Sequence, residues 1–414
     1  MKLLVIIPDA LSALIGKGEI TDRYYNPGNL FDEVHILLCN NDRPDPKELQ
    51  STVGSARLFL HNLPEDPQYF CNNHPCFQAW LLKPWAKFFL KLAMLWQFHS
   101  LNKWAVPAVE LAWRIKPDLI RCHGNDFNTY VASRIKNRLG IPYVVSLHTN
   151  PDVDPYRRPL PPFNSWREQL LAVLLNEIEI AGLAHADRIL PVYRSIIPYL
   201  ARMHCSNYEL AYNVLAGEHL IKKEDYRLHD PVRVISVGRH YIHKNPENII
   251  RALRNLSNVH LTLIGDGPYL AKLQTLVAEC GLEDRVVFIS AMPNHKLCSM
   301  LCEYDIFAVH VEAFGISKTV LEALLAGMPV VINRREGNQG QVPELMGDFV
   351  MMVDNTSDGY AQAIAKLIEN DRLREQQGRR AFAHAQENWA PAKTEMKYVD
   401  VYKQVLYETK QEMC

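Results

Sequence analysis

The sequence predicts an α/β protein built from two doubly wound parallel sheets. Short β-rich apolar runs alternate with amphipathic helical stretches along nearly the whole chain, which is the pattern of parallel βαβ units. The alternation comes as two successive series, and 414 residues exceed what one ordinary hydrophobic core accommodates. Two series of one architecture therefore indicate two Rossmann-like domains.

The predicted elements place the domain boundary near the middle of the chain. Strands of the first series are expected at Lys2–Ile7, Glu33–Leu38, Leu119–Cys122, Tyr143–Leu147 and Arg188–Pro191. Strands of the second series are expected at Val232–Val237, Val259–Ile264, Arg285–Ile289, Ile306–His310 and Pro329–Ile332. The interpretation is an N-terminal domain at 1–212 and a C-terminal domain at 213–393. A final amphipathic helix at about 394–414 is assigned to the first domain.

Composition excludes several classes of protein. The formal net charge of -1 provides no basic field for nucleic acid. The chain has no uncharged apolar run of 18 residues or more, so no transmembrane helix is expected. Nine scattered cysteines, an odd number, are typical of a reducing compartment. We therefore expect a cytoplasmic protein, with the inner face of the membrane as the alternative location.

One region departs from the alternation. The segment 77–104 carries eight aromatic residues interleaved with Lys83, Lys87 and Lys91. Such a helix is either a long core helix with extended lysine side chains or an interfacial helix in peripheral contact with a membrane. The core helix is the favoured interpretation, because buried helices are more frequent in soluble chains.

The strongest candidate site lies between Glu312 and Glu322. A strand is expected to end near His310, and a helix to begin around Ser317, which is a plausible N-cap. Gly315 allows close approach of the backbone to a ligand, and the helix N-terminus would favour a diphosphate. Glu322 follows within an apolar stretch, so a partner is expected for its carboxylate, and the hydroxyls of a ribose are suitable.

A second candidate site follows the first strand of the second domain. Arg239 and Lys244, five residues apart in the loop after Gly238, could clamp a diphosphate. Gly265 opens a Gly-Asp-Gly-Pro turn at the end of the next strand. This turn either helps to hold the ligand or serves only as a tight turn.

Candidate residues in the first domain also follow strands or lie in the first loop. His148 and His123 each end a predicted strand, where polar side chains of parallel sheets face the ligand crevice. A purely structural role for His123 is equally compatible with its position. Gly16 and Gly18 could approach an acceptor or a diphosphate. No metal site is expected, because the Cys and His spacings lack a second pair, and Asp152-Val153-Asp154 lies in a proline-rich loop.

These residues resemble the retaining glycosyltransferases of family 4, which have the GT-B fold. The resemblance covers roughly Val232 to Trp389 and rests on four groups of residues: Gly238-Arg239 with Lys244, Gly265 to Pro268, Gly315 to Val331, and Pro343-Glu344-Leu345. It implies a nucleotide-sugar donor, most simply a UDP-sugar, and a glycan, lipid or small-molecule acceptor. It implies neither a cofactor nor a required metal.

The resemblance also implies roles for individual residues. Arg239 and Lys244 would stabilise the departing diphosphate, and His148 would contact the transferred sugar or its phosphate. Donor-binding residues would be Gly238, Gly265, Glu312, Phe314, Gly315, Ile316, Ser317, Lys318, Thr319 and Glu322. The family usually has two glutamates separated by seven residues, but Phe314 occupies the first of those positions and Glu312 lies nine residues before Glu322.

The expected function is therefore transfer of a sugar, with retention of configuration, to an acceptor such as a cell-envelope glycan, a glycolipid or a metabolite. Two alternatives belong to other functional classes of protein. The displaced Glu312 is compatible with a non-catalytic sugar-nucleotide-binding or scaffolding relative. A nucleotide-sugar epimerase can share the fold, and it would convert the donor without an acceptor.

Overall fold

The structure, a computed structural model, describes residues 1–16, 18–63, 90–154, 157–215, 217–241, 244–290, 292–312, 315–335 and 341–412. Residue contacts divide the chain into two compact units. The first unit consists of Met1–Ile15, Asp22–Tyr212 and Glu395–Cys414. The second unit consists of Gly16–Thr21 and Asn213–Thr394. The short segment 16–21 thus packs with the second unit, although its place in the sequence predicts the first domain.

The first unit contains a six-stranded parallel sheet. Its strands are β1 (Lys2–Ile7), β2 (Glu33–Leu38), β3 (Arg57–Asn62), β4 (Leu119–His123), β5 (Tyr143–Leu147) and β6 (Arg188–Pro191). Its helices are α1 (Leu11–Gly16), α2 (Pro46–Leu49), α3 (Leu90–Ile115), α4 (Phe127–Leu139), α5 (Trp166–Leu183) and α6 (Ile197–Arg202). The strand order is β3-β2-β1-β4-β5-β6. This is the order of a Rossmann fold.

The second unit repeats this topology. Its strands are β7 (Val232–Val237), β8 (Val259–Ile264), β9 (Val286–Ile289), β10 (Ile306–Val309), β11 (Val330–Asn333) and β12 (Met351–Val353). Its helices are α7 (Glu247–Ala252), α8 (Leu270–Glu279), α9 (Asn294–Met300), α10 (Lys318–Leu325), α11 (Ser357–Glu369) and α12 (Asp371–Trp389). The last helix, α13 (Pro391–Glu412), belongs to the first unit from Glu395 onward. The order β9-β8-β7-β10-β11-β12 confirms the predicted fold class.

The sequence patterns missed one edge strand in each sheet. Strand β3 alternates between exposed and half-buried positions, and β12 is only three residues long. Both lie at the edge of a sheet and therefore lack the continuous apolar run of a central strand. Central strands such as β1 and β4 are almost completely buried, which is why their apolar runs were recognisable.

Part of the aromatic segment 77–104 lies outside the described residues, including Lys83 and Lys87. Its remainder forms the start of α3, where Leu101 and Trp104 are buried in the hydrophobic core of the first sheet. This burial supports the core-helix interpretation for the described part. Among the described helices, none is both long enough and apolar enough to cross a membrane.

The topology of the second sheet determines where a ligand site can form. Strand β7 lies between β8 and β10, and the strand order reverses at this point. A crevice opens at the carboxyl ends of the strands at such a switch point. The segments that follow β7 and β10 therefore converge there, and they carry both candidate sites of the second unit.

Candidate functional site

The loops that follow β7 and β10 are joined directly. The backbone N–H of Asn245 donates to Nδ1 of His310 at 3.0 Å, and Nε2 of His310 lies 3.1 Å from Glu312 Oε1. A small pocket lies between the two loops. It is lined by Ser236, Val237, Gly238, His240, Lys244, Pro246, Val309 and His310. His310 was missed as a site residue, although a polar residue directly after a buried strand is a recognisable signal.

Arg239 and Lys244 lie close enough to repel each other. Burial and the Arg239 guanidinium lower the pKa of the Lys244 ammonium, while the Glu19 carboxylate opposes them. The exposed guanidinium of Arg239 lies 5.1 Å from the centre of the Tyr241 ring. A bound anion would relieve the repulsion between the two cations, because it favours their charged forms. The structure thus brings the two predicted cations together beside the pocket.

The Gly-Asp-Gly turn after β8 supports the loop that carries these cations. Gly265 has φ +142°, and a Cβ there would come within 2.1 Å of the Gly238 carbonyl oxygen. Gly267 has φ +153°, and its Cβ would meet the His240 carbonyl oxygen at 2.4 Å. Both glycines are therefore required by close backbone packing. This explains Gly265 structurally, and its predicted contact with a ligand stays a prediction.

The N-terminus of α10 has the predicted cap. Oγ of Ser317 accepts a hydrogen bond from the backbone N–H of Val320, and Ser317 has an extended backbone conformation. The hydroxyl of Thr319 donates to the Val237 carbonyl at 3.3 Å, which anchors the first turn of the helix beside the end of β7. Gly315 and Ile316 are buried in the segment that leads into this turn. The helix dipole therefore points toward the same edge of the sheet as the two cations.

Glu322 is a buried carboxylate with one satisfied oxygen. Its side chain is 1% exposed, and its Oε1 accepts a hydrogen bond from Asn294 Nδ2 at 2.8 Å and lies 3.7 Å from Lys318 Nζ. The other oxygen, Oε2, is buried and has no hydrogen-bond partner among the described residues. Burial raises the pKa of Glu322, and the Lys318 ammonium opposes the shift. An unsatisfied buried oxygen in a candidate site is a reason to expect a ligand donor there.

The displaced glutamate has a partner within the protein. The Glu312 side chain is one-third exposed and contacts His310, which is itself buried and also lies 3.2 Å from Asn355 Nδ2. Phe314, at the position where the family usually has its first glutamate, lies outside the described residues. The contact with His310 shows how Glu312 is held, and its predicted contact with a sugar stays a prediction.

The predicted glycine loop contributes to the second unit. Gly18 has φ +68°, its carbonyl accepts the backbone N–H of Asn294 at 3.0 Å, and a Cβ would come within 2.3 Å of the Met292 carbonyl oxygen. Thr21 accepts a hydrogen bond from Lys318 Nζ at 2.6 Å. Gly16 ends α1, and a Cβ would meet nothing within 4 Å there. Close packing therefore requires glycine at position 18 and leaves room at position 16.

The two predicted histidines of the first unit contact each other. The rings of His123 and His148 lie 4.0 Å apart between centroids, and Nε2 of His148 lies 3.1 Å from Ser146 Oγ. Burial lowers the pKa of His123 well below its ordinary value, and the neighbouring His148 adds to the effect. His123 is therefore neutral in the folded protein at neutral pH. Its half-buried position against His148 is compatible with a structural role.

Asp152, in the loop after His148, is held by arginines. Oδ1 of Asp152 lies 2.7 Å from Arg202 Nη2, and the same oxygen accepts from Arg158. Arg158 in turn contacts the buried Glu179, whose pKa burial raises to about 7. These contacts explain the Asp152 carboxylate as part of an ion-pair network that fixes the loop.

Comparisons with known proteins relate the second unit to one family of enzymes. Residues 220–384 match the family model described as glycosyl transferases group 1. The chain is 31% identical over 183 residues to a GDP-mannose-dependent alpha-(1-6)-phosphatidylinositol monomannoside mannosyltransferase of Mycolicibacterium smegmatis. That match covers 40% of this chain and 46% of the relative. A match of 24% identity over 252 residues to N-acetyl-alpha-D-glucosaminyl L-malate synthase of Bacillus anthracis covers 57% of this chain and 64% of the relative.

Solved structures are similar over the whole chain. The Anabaena protein HepE in complex with UDP superposes with a TM-score of 0.65 at 16% identity, covering 98% of this chain and all of HepE. Sucrose-phosphate synthase from Thermosynechococcus elongatus superposes with a TM-score of 0.68 at 16% identity, covering 99% of this chain and 100% of the synthase. The chain thus has the two-domain GT-B fold, and its residues 220–384 are similar in sequence to glycosyl transferases group 1.

Proposed function

We propose that this protein is a retaining glycosyltransferase that transfers a sugar from a nucleotide-diphospho-sugar to an acceptor. The observation that carries the proposal is the convergence of Arg239, Lys244 and the capped N-terminus of α10 at one edge of the second sheet. Positive charge and free backbone donors at one place are what a departing diphosphate needs. The match of residues 220–384 to glycosyl transferases group 1 supports this assignment.

Each group has a specific part in the proposed chemistry. Arg239 and Lys244 stabilise the charge that develops on the diphosphate as the glycosidic bond breaks. Glu322 accepts a ribose hydroxyl through its unsatisfied oxygen. His148, in the first unit, contacts the transferred sugar. Because the two cations supply the positive charge, the proposal requires no metal ion.

A UDP-sugar is the proposed donor, with a GDP-sugar as the competing choice. HepE, which is similar in fold, is in complex with UDP, whereas the mycobacterial relative is named for GDP-mannose. The Mycolicibacterium smegmatis relative is named for a phosphatidylinositol monomannoside substrate. A glycolipid or cell-envelope glycan is accordingly the proposed acceptor, and a small metabolite is the alternative.

The test begins with a thermal-shift screen against UDP-, GDP-, ADP- and dTDP-sugars, since a ligand that binds the folded state raises its stability by mass action. Arg239→Ala is then compared with the wild type in transfer from the best donor. Loss of one such donor group costs about 100-fold or more in turnover. Arg254→Ala, at an exposed position of the same unit, is the matched control. Near-normal transfer by Arg239→Ala would refute the proposal.

A non-catalytic sugar-nucleotide-binding protein is the second candidate. The contact of Glu312 with His310 favours it, because a carboxylate engaged by the protein is less available to a sugar. Binding of a nucleotide sugar with neither transfer nor slow hydrolysis, over a broad acceptor pool, would select this alternative. Transfer of the sugar to any acceptor would exclude it.

A further inference from the structure

The Glu322 carboxylate is held asymmetrically. Oε1 receives the Asn294 amide at 2.8 Å and the nearby charge of Lys318 at 3.7 Å, whereas Oε2 has no hydrogen bond to the described residues. A buried carboxylate oxygen without a donor is costly. The asymmetry therefore leaves one defined oxygen that receives no hydrogen bond from any of the described residues.

Asn294 is itself fixed in orientation. It begins α9, and its backbone N–H donates to the Gly18 carbonyl at 3.0 Å. The Cys298 thiol lies 3.8 Å from its Oδ1, which leaves Nδ2 to face Glu322. With its backbone and both ends of its amide engaged, Asn294 can hold the carboxylate in a single rotamer.

Lys318 makes a second link between Glu322 and the 16–21 segment. Its Nζ donates to Thr21 Oγ1 at 2.6 Å and lies one helical turn before Glu322 on α10. Its positive charge opposes the tendency of burial to protonate Glu322. Asn294 and Lys318 therefore each contact both the 16–21 segment and Glu322.

We propose that Asn294 and Lys318 are positioning residues that orient the Glu322 carboxylate and so set the preference of the site for a ribose over a deoxyribose. The inference rests on the proposed nucleotide-sugar site and deepens it. Neither residue has to touch the nucleotide: both act by holding Oε1, which directs Oε2 at a ribose hydroxyl. Gly18 holds the backbone of Asn294, and Thr21 holds the side chain of Lys318.

The test measures a ratio of affinities, which general damage to the fold does not reproduce. Isothermal calorimetry compares UDP with 2′-deoxy-UDP and 3′-deoxy-UDP, and the GDP series is used instead if the wild type prefers guanine. We expect the wild type to prefer the ribonucleotide over at least one deoxy analogue by about tenfold or more, since it gains a hydrogen bond to a charged group. Asn294→Leu and Lys318→Met should reduce this preference to less than about threefold. Affinity for the deoxy analogue should fall by less than affinity for the ribonucleotide.

The controls separate positioning from charge and folding. Lys318→Arg should keep the preference, and so should Lys296→Met, which removes an equal charge from an exposed position on α9. If Asn294→Leu does not fold, the pair Lys318→Met and Lys318→Arg decides the question. The inference is overturned if the folded variants keep the wild-type preference for ribose. It is also overturned if the wild type binds the ribonucleotide and the deoxy analogues equally. Either result leaves the proposed function intact. If the protein binds no nucleoside diphosphate and no nucleotide sugar, both the inference and the proposed function are overturned.

Discussion

At the scale of single residues, the candidate site contains groups that are poorly satisfied by the protein itself. Lys244 is a half-buried cation beside Arg239, and burial is the main reason that its pKa is lowered. Glu322 is a carboxylate with one buried oxygen that has no hydrogen-bond partner among the described residues. Such groups cost stability and are retained where a ligand uses them.

We predict that Lys244→Met stabilises the folded protein while abolishing binding of nucleoside diphosphates. The folded-state pKa of Lys244 is lowered, so the folded state holds its proton less tightly than the unfolded state and the charge opposes folding at neutral pH. Removing the charge should raise the melting temperature, by about 2–4 °C for each kcal/mol gained in a domain of this size. Thermal unfolding with and without nucleotide checks both effects. A destabilised variant that still binds nucleotide would contradict the prediction.

At the scale of elements, backbone packing between turns determines the shape of the site. The turn at Gly265–Gly267 presses against the Gly238–His240 loop, and the Ser317 cap starts α10 beside the end of β7. These contacts are between backbones or short side chains, so they have little freedom to adjust. The positions of the cations and of the helix N-terminus therefore depend on glycine at a few places.

We predict that Gly265→Ala lowers the free energy of unfolding by at least about 1–3 kcal/mol, because its positive φ is strained for alanine and the new Cβ would meet the Gly238 carbonyl. Gly281→Ala is the matched control. It also has a positive φ, of +63°, but open space around the added methyl, so it should cost only about 1 kcal/mol. Denaturant unfolding measures both variants. Equal costs at the two positions would show that the contact with Gly238 is unimportant.

The edge of the first sheet contains a pH-sensitive pair. His35 on β2 and His61 on β3 are neighbours, with Nδ1 of His35 3.0 Å from Nε2 of His61. Burial lowers the pKa of both rings, and that of His61 to about 4. Because the folded pKa values lie below the unfolded value, this contribution to stability is complete above about pH 6.5 and is lost as the pH falls toward 4.

We therefore predict that His61→Gln makes the free energy of unfolding less dependent on pH between pH 6.5 and 4. Unfolding of the variant should take up as much as one proton fewer, which lowers the slope against pH by up to about 1.4 kcal/mol per pH unit. Thermal or urea unfolding of both proteins across this range provides the measurement. His185→Gln, an exposed histidine of the same unit, should leave the slope unchanged. An unchanged slope in His61→Gln would mean that the pair does not titrate on unfolding.

At the scale of the whole molecule, two units of the same topology have different sets of functional residues. Each has its own hydrophobic core. The second unit contains the cation pair, the capped helix and Glu322, whereas the first contains the histidine pair. The chain spans 46% of the length of the Mycolicibacterium smegmatis relative, so the identity of the acceptor is part of the proposal.

We predict that a nucleoside diphosphate alone protects the second unit from hydrogen exchange. Protection should be strongest in the segments 238–241, 265–267 and 315–323, which follow β7, β8 and β10, because local opening is suppressed where the ligand binds. The central strands of the first sheet should exchange as in the free protein. Mass-spectrometric exchange with and without UDP or GDP makes the comparison. Protection confined to the first unit would place the nucleotide site elsewhere.

The amino-acid sequence by itself determined the fold class and those candidate site residues that directly follow a strand or begin a helix. Central parallel strands are buried on both faces, so their apolar runs stand out, and polar residues directly after them mark the ligand edge. Arg239, Lys244, Ser317 and Glu322 were identified in this way, because each lies in a local pattern of strand, loop and helix. Edge strands β3 and β12 were missed because one-sided or very short strands give no such pattern.

Only the tertiary structure decided which residues surround Glu322. Asn294 is 28 residues away along the chain, and Thr21, which binds Lys318, is 297 residues from it. Neither has a sequence signal, because an amide or a hydroxyl in a loop acquires its role only when the chain brings its partner within hydrogen-bond distance. The same holds for Glu312. Its spacing from Glu322 was visible in the sequence, but its contact with His310 depends on how the segment after β10 folds back.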